Sequence, residues 1–136
     1  MKHPATDPSQ LKRNALSREI VVKRALAIAD AEGLQAVTIR RVAKELGVTP
    51  MALYWHFKDK NELLGGMADL IFAEIELLGG DSKPATWREQ FAQFLERTTR
   101  TLISHPAMAT LMPAFNSWSY HAFNVMEEAL SILRGA

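Results

Sequence analysis

TIRRVAKELGVTPMALYWHFKDKNELL, residues 38–64, decides how the chain reads. Thr38 is a helix-capping residue, and Ile39, Val42, Ala43 and Leu46 follow it at spacings of three and four. Residues 39–46 are therefore expected to form a short helix that stops at Gly47. Thr49 caps a second helix with Pro50 at its first position, where the missing N–H is no loss, and this helix is expected to run through His56. Gly47–Val48–Thr49 joins the two. A three-residue turn with glycine taking the left-handed conformation is the geometry of a DNA-binding helix-turn-helix, which presents its second helix to the major groove. Ala43 is small enough for the helices to cross closely, and Val48 and Leu53 are expected to plug the corner. Ordinary helical hairpins use glycine turns too, so spacing alone leaves both readings open.

The helical pattern continues on both sides. Before the motif, Ser17 can cap a helix whose apolar positions are Val21, Ala25, Ile28 and Ala29, with Gly33 as its stop. After it, Asp59 with Glu62 resembles a capping box that opens a long fourth helix to about Leu78. Thr86 with Glu89 repeats the signature and opens a fifth, ending near His105–Pro106. A short helical turn over 107–112 and a last helix over 117–134 complete the chain. No run alternates apolar and polar residues between turns, so strands are not expected. The fold class is all-α: a three-helix DNA-binding block, then a helical ligand-binding and dimerisation block. The expected parts are an arm (1–16), the helix-turn-helix block with its connecting fourth helix (17–80), and the second block (81–136). The turn-rich run at 79–84 divides the two blocks.

Composition narrows the function. The chain has 136 residues, no cysteine, 48% hydrophobic and 23% charged content, and a net charge of +1. Such a length suits one domain, or one small domain with part of another. Absence of cysteine excludes disulfide scaffolds, thiolate metal sites and cysteine nucleophiles. The N-terminus has no apolar segment of a secretory signal. The longest run without Asp, Glu, Lys or Arg, 101–126, holds two prolines and two histidines and makes a poor membrane helix. A cytoplasmic protein without a membrane partner is expected. Charge is uneven: residues 1–60 carry 11 Lys/Arg against 6 Asp/Glu, and residues 61–136 carry 5 against 9. A basic front half suits a polyanion, although solvated helix faces cluster charge as well.

With the preceding IVVKRALAIADAEGLQAVTI, the run 38–64 resembles the DNA-binding region of the TetR family of bacterial one-component transcription repressors. The resemblance is specific over residues 17–72 and architectural beyond. It implies a dimer on a palindromic double-stranded operator, and a small-molecule effector that changes operator affinity. In the family, the positions of Thr38, Arg40, Thr49, Pro50, Met51, Ala52, Tyr54, Trp55, His56 and Lys60 face DNA. Their chemistry agrees. Tyr54 and His56 suit phosphate oxygens, and Lys60 suits phosphate at a helix N-terminus. Arg40 can pair with a guanine edge. Thr49, Pro50, Met51 and Ala52 form the expected exposed start of the recognition helix, which can touch thymine methyls but cannot make a bidentate pair. Direct reading then falls on Arg40, with DNA shape filling in. Phe57 is read as core, and Trp55 divides between packing and a backbone contact. Lys12 and Arg13 suit either a minor groove or solvent.

In the second block, Phe91, Phe94, Met108, Met112, Phe115 and Trp118, with His105 and His121, have the composition of an apolar ligand wall with a few polar groups. Aromatics at helical spacing also build ordinary cores. The resemblance makes this block the effector site, for a largely apolar ligand. His105 and His121 stand alone in sequence with no carboxylate at metal spacing, so no metal or other cofactor is expected. No phosphate loop, nucleophile elbow or carboxylate pair occurs, so an enzyme is not expected and no catalytic residue is assigned. The alternative function is a helical protein-interaction or small-molecule-binding module without DNA binding. Family members usually continue with two more helices that pair across a dimer. This chain stops just after a helix, so either the second block is incomplete or the dimer is built differently. Gly65–Gly66, inside the fourth helix, reads either as a hinge between the blocks or as a site of close packing.

Overall fold

The computed structural model describes residues 16–77, 86–111 and 120–136. Among them every regular element is helical. They are α1 (Arg18–Glu32), a 3-10 turn (Leu34–Ala36), α2 (Ile39–Leu46), α3 (Pro50–Tyr54), α4 (Lys60–Leu77), α5 (Trp87–Ser104), α6 (Met108–Leu111) and α7 (Tyr120–Arg134). The all-α expectation holds. Lys12 and Arg13, the divider at 79–84 and the expected start of the last helix at Ser117 lie outside the described residues. The chain separates into two compact units, Met1–Leu63 and Leu64–Ala136, so the division falls within α4.

In the first unit, the Ser17 hydroxyl accepts the Ile20 N–H at 3.2 Å and starts α1, which ends at Gly33. Its inward face holds Val22 and Leu26 besides the four expected positions. The 3-10 turn after it was not legible in the sequence. It is closed by the Val37 N–H on the Leu34 carbonyl at 3.1 Å, and it delivers Val37 fully buried. Thr38 caps α2 by accepting the Arg41 N–H at 3.0 Å. Gly47 has φ 67° and ψ 30°; its N–H reaches Lys44 at 3.2 Å and the Val48 N–H reaches Ala43 at 3.0 Å. Those two bonds make a Schellman closure. A Cβ at Gly47 would meet nothing within 4 Å, so handedness rather than space demands glycine there.

Ala43 and Leu53 are fully buried at the corner, while Val48 and Leu46 are half-buried. α3 stops at Tyr54, two residues before the expected end. The N–H groups of His56 and Phe57 both turn back to the Leu53 carbonyl, each at 2.9 Å, and Phe57 enters the core with no exposed surface. Burying a phenylalanine is worth about 1.5–3 kcal/mol, more than the roughly 1 kcal/mol of one further helical bond. Asp59 then accepts the Glu62 N–H at 2.9 Å to start α4, and the Glu62 carboxylate accepts the Lys58 N–H. The reciprocal bond thus lands one residue ahead of the usual capping-box position.

In the second unit, Ile75 of α4, Phe94 of α5 and Val125 of α7 form a buried cluster, edged by Phe72, Phe91, Ala129 and Ile132. The Thr86–Glu89 capping box is complete, with bonds of 3.3 and 3.1 Å. Arg97 ties the three helices together. It donates to the Ile75 carbonyl at 3.1 Å, pairs with Glu128, and lies 5.2 Å over the Phe94 ring. α4 runs unbroken through Gly65–Gly66, and a Cβ on Gly65 would meet nothing within 4 Å. Among the described residues, close packing therefore gives no reason for glycine at position 65.

Candidate nucleic-acid interface

Three features of the first unit aim its surface. The Schellman turn fixes α3 against α2, the Thr49 cap starts it, and buried Leu53 and Phe57 anchor its inner side. On the outer side Met51 is 68% exposed, Tyr54 50% and Trp55 77%. Trp55 is therefore not a packing residue in this unit. Thr49 and Pro50 are exposed beside them, and His56 is half-buried. Ala52 corrects the sequence reading: it was expected on the exposed start, yet it is buried at 5% exposure. In a helix position 52 shares the inner face with neighbouring Leu53, so its methyl fills the corner instead of meeting a groove.

Thr38 and Thr49 use their hydroxyl oxygens as caps, accepting from Arg41 at 3.0 Å and from Ala52 at 3.4 Å. Each hydroxyl keeps its hydrogen for an outside acceptor. Arg40 and Arg41 diverge. Arg41 donates to both Glu32 oxygens and to Glu45, a pairing that pushes its own pKa up and holds Glu32 below the usual carboxylate range. Arg40 is exposed and makes no ion pair with a described residue. Lys60 opens α4 as expected, exposed at its N-terminus, and Lys58 is a further exposed cation that sequence reading passed over. The result is an exposed strip of threonine, proline, methionine and two aromatics, followed in sequence by exposed Lys58 and Lys60, with Arg40 exposed on α2. One contact had no signal in sequence: Arg18 of α1 donates to the His56 carbonyl at 2.8 Å across 38 residues.

The second unit places the expected effector residues differently. Phe94 is committed to the core cluster, and half-buried Phe91 stacks on it with ring centroids 6.1 Å apart. The histidines are not alone in space. His105 Nε2 lies 2.7 Å from Glu74 Oε2, and His121 Nδ1 lies 2.6 Å from Glu76 Oε2. Glu74 and Glu76, two residues apart in α4, supply the carboxylates, at sequence distances from the histidines where no local spacing rule applies. Met112, Phe115, Trp118 and the side chain of Met108 lie outside the described residues. Among the described residues no three metal-ligating side chains converge, and no helix is long and apolar enough to cross a membrane.

The family model described as bacterial regulatory proteins, tetR family, matches residues 21–67, which hold the whole exposed strip. The solved structure of BioQ with its natural double-stranded DNA operator is 36% identical, with a TM-score of 0.74 over 89% of this chain and 71% of that one. This chain belongs to the TetR family. Another solved family likeness is ActR of Streptomyces coelicolor in complex with (S)-DNPA, 30% identical with a TM-score of 0.75, covering 88% of this chain and 58% of that one. Among curated proteins, the HTH-type transcriptional repressor DrrR1 of Streptomyces coeruleorubidus is 32% identical over 127 residues, 93% of this chain. The TetR-family chain described here spans about half of that relative's length, 47%.

Proposed function

We propose that this TetR-family chain is a sequence-specific DNA-binding transcriptional regulator. In this reading it is a repressor that binds a palindromic operator as a cytoplasmic homodimer. A small, largely apolar effector bound by the second unit changes its operator affinity. The observation that carries the proposal is the outer face of α3, where Met51, Tyr54 and Trp55 stand in solvent on a rigidly capped helix. Large apolar side chains gathered on one exposed strip mark a surface meant to be covered. The exposed cations Arg40, Lys58 and Lys60 of the same unit name a polyanion as the cover. BioQ, crystallised on its operator, supports the same assignment by likeness.

Residue roles follow from chemistry. Thr38, Thr49, Tyr54 and His56 supply hydroxyl and imidazole groups for phosphates, and Lys60 adds charge at a helix N-terminus. Arg40 reads a base edge, Met51 and Pro50 meet thymine methyls, and Trp55 lies along the sugar-phosphate backbone. Ala52 acts from beneath by letting α3 seat. In the second unit, Phe91, His105 and His121 offer the effector a ring edge and two imidazoles, with Phe94 as backing. ActR, a TetR family protein in complex with (S)-DNPA, supports a small-molecule partner by likeness. The functional blocks in this reading are 1–16, 17–80 and 81–136.

An electrophoretic mobility assay with excess competitor DNA at moderate salt tests the proposal. A retained complex on some duplexes but not others is expected. Loss of every complex to random competitor would favour the helical module that never binds DNA.

A further inference from the structure

α3 is five residues long and its two ends are secured differently. The front has the Thr49 cap and the Gly47 turn. The rear has neither a glycine nor a proline to stop it, and the chain closes through the paired His56 and Phe57 bonds to the Leu53 carbonyl. The last carbonyls of a helix have no intrahelical donor and carry partial negative charge. Arg18, from the first turn of α1, instead holds the chain two residues beyond that end. Its Nη1 donates to the His56 carbonyl at 2.8 Å, and its guanidinium carbon lies 4.4 Å from the centroid of the Phe57 ring. Phe57 is fully buried, so the plate on which the guanidinium rests is itself immobile. A planar cation that stacks on one side chain and donates in-plane to a neighbouring carbonyl has its orientation determined twice.

We infer that Arg18 is a positioning residue for DNA reading. It clamps the rear of the recognition helix and so sets the angle at which Tyr54, Trp55 and His56 meet the duplex. The inference rests on the DNA-binding proposal and adds a residue outside the helix-turn-helix. Arg18 acts through the His56 backbone and the Phe57 ring, so it neutralises no phosphate. That distinguishes it from Arg40 and Lys60.

The test uses the full chain, its Arg18→Gln and Arg18→Lys variants, a duplex that the wild type enriches from a randomised library, and a random duplex. Binding is measured across a salt series, and amide hydrogen exchange is followed without DNA. The clamp predicts that Arg18→Gln weakens the enriched duplex on the order of tenfold, the scale of one charged hydrogen bond. Random-duplex affinity and the salt slope stay at wild-type values, because the count of neutralised phosphates is unchanged. Arg18→Lys, which keeps a donor and loses the plate, recovers part of the loss. Exchange quickens over residues 50–57 while the amides of α1 keep their protection. Equal losses on both duplexes with a salt slope shallower by about one unit would make Arg18 a phosphate contact instead. Faster exchange throughout the first unit would make it merely structural. A wild type that binds and an Arg18→Gln chain that binds equally well would remove this inference alone, whereas a wild type that binds no duplex would remove the DNA-binding proposal with it.

Discussion

Glu76 of α4 holds the imidazole of His121 at 2.6 Å, 45 residues along the chain, and takes a second hydrogen bond from Asn124 at 3.1 Å. The bond to His121 is the main cause that holds the Glu76 carboxyl below the usual carboxylate range; burial opposes it, and the Asn124 bond and the His121 charge add to it. An acid whose pKa is lower folded than unfolded stabilises the fold above its unfolded value. That stabilisation fades as pH falls through the folded value. Denaturant titrations at successive pH values should therefore show stability declining on the acid side of the carboxylate range. Glu76→Gln should flatten that decline. An identical acid branch in the variant would remove Glu76 from the account.

Gly47 and Gly65 make opposite predictions for one substitution. Both have open space where a Cβ would stand, but only Gly47 holds a left-handed φ of 67°. Gly47→Ala should destabilise by about 1–2 kcal/mol through backbone strain alone. Gly65→Ala, inside α4, should stabilise by about 0.5–1 kcal/mol through helix propensity. Chemical denaturation of the two variants checks both signs.

The Gly65–Gly66 pair also bears on coupling between effector and operator. If the pair serves as the hinge, the double alanine variant should keep operator binding and lose most of the change in affinity that an effector produces. In the wild type that change is expected at roughly 1–3 kcal/mol, and the operator must alter effector affinity by the same factor. Titrating effector with and without operator measures it, and equal coupling in both proteins would rule the hinge out.

Arg40 and Lys60 should fail differently. Lys60→Ala should weaken enriched and random duplexes alike and lower the salt slope by roughly one unit. Arg40→Ala should cost roughly 1–3 kcal/mol on the enriched duplex and relax preference at one base pair. Equal losses for Arg40→Ala on both duplexes would make it a phosphate contact.

The helices were legible because their signals are local. Caps at Ser17, Thr38, Thr49 and Thr86, and stops at Gly33 and Gly47, lie within a few residues of what they terminate. Phe57 read correctly as core, yet its cost was not foreseen: seating it ends α3 before Trp55. Ala52 was misplaced because one small residue carries no sign of which face it takes. The contacts that tie elements together, Arg18 to His56, Arg41 to Glu32, and the two histidines to Glu74 and Glu76, join residues on separate helices or turns. Periodicity within one helix says nothing about them.

If the exposed face of α3 reads DNA sequence as one half of a symmetric pair, the duplexes it retains carry that symmetry. Selecting bound duplexes from a fully randomised pool tests it most directly. The account predicts an enriched inverted repeat with half-sites about 34–36 Å apart, or a multiple of that distance. A pool that stays random after repeated rounds, or one that yields a single asymmetric half-site, would contradict it.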